Sequence, residues 1–174
     1  MYDAVITLFN YRKSEHAWYT TVFHGANLIE PRGNSATQQG QVNADTVEII
    51  IHVKPNQDAD TLIYVPNNIT DVDGNVLTSD NGVHVAYDDP ETHESRQYIS
   101  PKAYAHLEAV DGRFTFTPET DFVVVGNYSS QEPIDDDEYE DGLYQAMNEA
   151  QDGVYMITSA TYFSLLPHFE IGGR

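Results

Sequence analysis

Hydrophobic and polar positions alternate with a period of two along much of this chain, the spacing of a β-strand rather than a helix. In the first ten residues Tyr2, Ala4, Ile6 and Leu8 fall on one side and Val5, Thr7 and Phe9 on the other. This predicts a strand over 3–10 with both faces partly covered. The aromatic, β-branched run AWYTTVFHG predicts a second strand over 17–24, stopped by Gly25. TVEIIIHV gives a third over 46–53, with Val47, Ile49, Ile51 and Val53 on one face and Glu48, Ile50 and His52 on the other. Further strands are expected over 113–117, 121–127, 154–165 and 168–172, the first two joined by Pro118-Glu119-Thr120.

Between the strands the pattern breaks. Residues 32–44 are polar and Gly-rich and read as an exposed loop. Residues 55–97 place short apolar runs between Asp, Asn and Gly clusters, which reads as a hairpin-bearing insertion with turns near Asp73-Gly74 and Asn81-Gly82. Ser100-Pro101 supplies an N-cap followed by Pro at the first helical position, where its missing N–H costs nothing, so a short helix is expected over 101–109, with Gly112 ending the turn. Tyr139, Leu143, Met147 and Ala150 share a helical face and predict a second helix over 139–150, with acids before it and Gly153 as its cap. The fold class is therefore mainly β: one domain, 1–174, with a small barrel or sandwich core, a long insertion (55–97) and two appended short helices. Residues 129–152 form an acidic loop plus helix.

Composition narrows the function. The 174 residues include 8 basic and 28 acidic side chains, a net charge of −20. That balance argues against general nucleic-acid binding, which needs clustered Lys and Arg, and against adsorption to an anionic membrane. There is no Cys, which excludes disulfides, thiol nucleophiles and Cys-ligated metals. No apolar run approaches the roughly 20 residues of a spanning helix. Asp3 precedes the first apolar run and Arg12-Lys13 follow it, the reverse of a secretory signal. The triplets at Asn68 and Asn127 then lack a glycosylation context.

Candidate chemistry is sparse. Asp71, Asp73 and Asn75 open like a calcium loop, but Val76 and Gly82 stand at loop positions 6 and 12, where an EF-hand needs Gly and a carboxylate. An Asx-rich turn or a weak, non-EF calcium site are the two readings. Of the seven His, none lies in H-E-x-x-H; His106 and Glu108 have deaminase-like H-x-E spacing without the cysteines. No P-loop, G-x-S-x-G or G-x-G-x-x-G is present. The run from Glu132 to Asp141 is either a solvated, self-repelling segment or a cation-binding or nucleic-acid-mimicking one. No residues suggest a catalytic site or a cofactor.

Four ordered segments carry a further signal: TLFNY with WYTTVFHGANL, then YISPKAY, GRFTFTPETDFVVVGNY and YMITSATYFSLLPHFEIGGR. Their order resembles the phage minor capsid proteins of the head-completion, or stopper, type in tailed phages of Gram-positive bacteria. The matching positions are Trp18, Val22 and Gly25; Phe116, Pro118, Asp121, Val124 and Gly126; and Ile157, Thr158, Pro167, His168, Phe169, Ile171, Gly173 and Arg174. The hairpin departs from the family's Gly-Asp, having Thr120-Asp121.

The resemblance implies a structural virion protein without cofactor or catalysis, assembled in the host cytoplasm as a homo-oligomeric ring at the head–tail junction. Its partners would be portal or adaptor and tail proteins, with DNA passing an acidic lumen that repels it. Trp18, Pro167, His168 and Phe169 are the interface candidates. For 167–174 two roles are open: a docking strand, or a strand whose Phe169 and Ile171 close the core. Another neck or tail protein (adaptor, tail terminator, tail tube), a calcium- or carbohydrate-binding β module, and an enzyme with an unrecognised carboxylate site are the alternatives.

Overall fold

A computed structural model describes residues 2–30, 46–56, 72–73 and 83–174. The first elements are β1 (Tyr2–Arg12), β2 (Ala17–Ile29), β3 (Val47–His52), β4 (Lys54–Pro55), β5 (Val85–Asp88), β6 (Ser95–Tyr98) and α1 (Pro101–His106). β7 (Arg113–Phe114), β8 (Phe122–Val125), β9 (Ile134–Asp135), α2 (Leu143–Ala150), β10 (Val154–Phe163) and β11 (His168–Gly173) follow. Six strands close into an antiparallel barrel in the order β1-β2-β3-β11-β10-β8, and β9 adds to the outer edge of β2. The expected mainly β fold is thus a closed barrel plus an extra strand, with two short helices.

Alternation fills the barrel. Ile6, Leu8, Phe23, Ile49, Ile51, Val123, Ile157, Phe169 and Ile171 point inward and are buried. The opposite face of β1 and β8 is covered too. Phe9, Phe122 and Val124 meet Trp18 from β2 and Leu143 from α2, with Phe9 stacked on Phe122 at 4.6 Å. This is why β1 reads as apolar on both sides.

A second sheet, β4-β5-β6-β7, packs onto the barrel core through Val85, Tyr87 and Phe114; β6 and β7 are parallel, the other pairs antiparallel. Val85 and Tyr87 are therefore core residues, with Tyr98 packed against that core, although 55–97 reads as an added insertion in the sequence. The loop 32–44, Asp71, Gly74, Asn75, the Asn81-Gly82 turn and Asn68 lie outside the described residues.

Several boundaries differ from expectation for local reasons. β2 does not stop at Gly25. That residue takes φ +76°, the strand shifts register against β1 there, and pairing continues to Ile29. The strand expected over 113–117 is only Arg113–Phe114, because the backbone amides beyond it turn to Asn10 and Asp121. α1 ends at His106, where Leu107 is extended, and Ser100 makes no side-chain cap bond. α2 starts at Leu143 instead of 139, after a 3₁₀ turn over Asp136–Glu138.

Candidate interaction surface

The most buried carboxylate is Asp121, in the loop before β8. Its Oδ2 accepts from Asn10 Nδ2 at 2.8 Å and from the Thr117 amide at 2.8 Å, and its Oδ1 from the Tyr11 amide at 3.0 Å. Asn10 Nδ2 also donates to the Thr115 carbonyl at 2.7 Å. Burial pushes the Asp121 pKa up to about 6, against the pull of these donors. No solvent reaches the carboxyl, so no substrate does: it is an anchor that ties the 115–121 loop to β1.

Asp89 is the second anchor. Its Oδ2 lies 2.7 Å from His24 Nδ1, and its Oδ1 accepts from the Glu91 and Thr92 amides at 2.8 and 3.0 Å. Burial raises its pKa, but the hydrogen bonds from His24 and the Thr92 and Glu91 amides outweigh burial and leave it below the ordinary value. The pair fastens the β5–β6 hairpin to β2. It borders a cleft of about 690 Å³ that also meets Tyr19, Arg96 and Arg113.

The acidic run is built into the fold. Asp136 Oδ1 accepts from the Trp18 indole N–H at 2.7 Å and from the Leu143 amide at 2.7 Å, so one carboxylate caps α2 and fixes the indole. Asp135 accepts from the Asp137 amide, and the Asp136 amide donates to the His16 carbonyl. The remaining acids of the run face solvent. A solvated segment is thus half the description; its main chain and Asp136 are held.

The four interface candidates separate. Trp18 is only 5% exposed, packed between Tyr11 and Phe122, and has no surface to offer a partner. Phe169 is buried against Tyr98, Phe116 and Tyr162, and Ile171 is buried beside it, which is the core-closing role. Pro167 and His168 are half-buried at the β10–β11 turn. His168 stacks on Phe163 at 5.0 Å, and its Nδ1 faces the Leu166 carbonyl, which raises its pKa; burial opposes this and Glu170 adds to it.

Just before them stand three residues outside the interface candidates: Phe163, Leu165 and Leu166, 41%, 94% and 73% exposed. Leu165 and Leu166 are the most exposed large apolar side chains of 83–174. Their signal was the apolar pair beside Pro167, at a turn where polar residues are usual.

The other motif positions serve the fold. Phe116 and Ile157 are barrel core, and Val124 lies under α2. At Gly173 a Cβ would sit 3.0 Å from both Tyr155 Cβ and Val47 Cγ1. Arg174 exchanges main-chain bonds with Met156 and pairs with Glu119 at 3.2 Å. Asp71 and Asn75 lie outside the described residues; Asp73 is exposed. Among the described residues no three His, Asp or Glu converge as a metal site, and no helix is long and apolar enough to cross a membrane.

No curated protein and no solved structure matches the chain. One family does, over residues 61–174, more than half the length. That span takes in β5, β6 and β7 of the second sheet, both helices, Asp121 and the β10–β11 hairpin. The chain belongs to this family, described as a family of unknown function, DUF6751.

Proposed function

We propose that this protein is a structural subunit of the head–tail junction of a tailed phage, a head-completion or stopper protein working as a ring around the DNA channel. The observation that carries the reading is an acidic barrel whose buried carboxylates are spent on anchoring its own loops, while its closing hairpin offers uncovered leucines. Such a molecule acts by being placed. The apolar tip suits a protein neighbour. The acidic remainder of the surface suits a channel through which DNA slides without adhering. The order of motifs supports the same reading.

The test is at particle level. Particles assembled with the gene carry the chain in a ring between portal and tail in a neck reconstruction. Particles assembled without it are filled heads that lose DNA and bear no tails. A chain found along the tail tube, or absent from particles whose heads retain DNA and join tails, overturns the proposal.

A further inference from the structure

Among the described residues the β10–β11 hairpin has an open side. β8 pairs with β10 only at Val154, Tyr155 and Met156. The main chain of Ile157 is taken by the Glu119 amide and the Asp121 carbonyl. Beyond it, over Thr158–Phe163, one edge of β10 pairs with β11, and no strand pairs with the other among the described residues. The register shift at Ile157/Ser159 lies at the base of this arm and leaves 159–163 regular.

An open edge is a template for another strand, and proteins ordinarily blunt it with charge, above all Lys. Here residues 153–167 contain no Asp, Glu, Lys or Arg, in a chain with 8 basic and 28 acidic residues. Residues 16–29 of β2 are also uncharged, and its second edge pairs with β9 at Ala17–Trp18 and with β3 at Asn27–Ile29, but between these Tyr19, Thr20, Val22 and His24 line the cleft beside the acids Asp89, Glu94 and Glu132. In β10 an uncharged strand coincides with an edge that pairs with no strand over Thr158–Phe163 among the described residues. The strand also leads into a turn that exposes Leu165 and Leu166.

We propose that this edge pairs antiparallel with the same edge of a second copy, each Leu165-Leu166 tip lying over the base of the other arm. Charge selects the occupant. Two bodies of −20 repel, and the approach of least repulsion is along the strand that carries no charge. Antiparallel pairing of identical edges is self-complementary and two-fold. A ring of the kind proposed above would use other, head-to-tail surfaces, so the two proposals stand or fall separately.

Light scattering after size exclusion tests it, at about 20 mM and about 0.5 M NaCl, where the screening length falls from about 20 Å to about 4 Å. The full chain should run as a monomer at low salt and double its mass at high salt. Thr161→Glu and Leu165→Asp, both at exposed positions, should prevent the doubling without changing the circular dichroism spectrum. The protein has no Cys, so Thr161→Cys reports the contact directly: mild oxidation should give a covalent dimer in high salt, and Asp137→Cys should not. A monomer at both salts overturns the proposal. So does a doubling that survives Thr161→Glu, or equal cross-linking of the two cysteine variants.

Discussion

The acidic segment 132–141 and the uncharged arm 153–167 lie close in sequence and behave oppositely. The segment that composition would consign to solvent is fastened to the barrel through Asp136, which holds both Trp18 and the start of α2. The apolar arm that composition would bury carries Leu165 and Leu166 into solvent. The difference teaches that a carboxylate is held where N–H donors converge on it, and that an apolar residue stays exposed when its strand outruns its neighbours. β8 is four residues long and β10 ten, and that mismatch makes the arm.

The largest effect should come from breaking an anchor. Asp121→Ala leaves Tyr11 N–H, Thr117 N–H and an Asn10 N–H without their acceptor inside the barrel. At about 1–3 kcal/mol for each unsatisfied buried group, and with partial relaxation, urea unfolding should show a loss of about 3–5 kcal/mol. Asp136→Ala should cost about 1–2 kcal/mol, because its bonds are nearer solvent. Trp18 is the single tryptophan, so its emission should shift to the red as the indole loses its partner.

Acid titration sharpens the contrast between the two buried anchors. The Asp121 pKa is raised in the folded protein, to about 6. Between the ordinary 3.8 and about 6 the folded state holds more protons than the unfolded one, so this group's contribution to stability falls as pH rises through that window. Asp89 is lowered, so its contribution is present above 3.8 and is lost as pH falls below it. Carboxyl-carbon NMR should place the Asp121 midpoint near 6 and that of Asp89 below the usual value.

The smallest effect on stability belongs to the arm. Leu165→Asp with Leu166→Asp should change unfolding free energy by no more than about 0.5 kcal/mol, since neither side chain is buried. A larger loss would mean that the tip serves the fold.

How much of this was legible follows the range of the interactions. Strand β3 alternates in structure as in sequence, with Val47, Ile49 and Ile51 inside, because a period-two pattern is local. So is the core role of Phe169 and Ile171. In sequence Asp136 is only one of a run of acids, because its partner Trp18 lies 118 positions earlier. Asp121 stood out as a motif residue without a reason; the reason is Asn10 and Tyr11, across the barrel wall. The β10 strand was expected over 154–165, but its open edge depends on where β8 and the 115–121 loop end, which no local pattern encodes.

Hydrogen–deuterium exchange, resolved by segment at low and high salt, tests the central contrast most directly. The account predicts that amides of residues 134–150 held by the Asp136 anchor and α2 are protected at both salts. Open-edge amides of 158–163 should exchange fast at low salt and slow at high salt as the arms pair. Fast exchange throughout 134–150, or an arm whose exchange ignores salt, would contradict it.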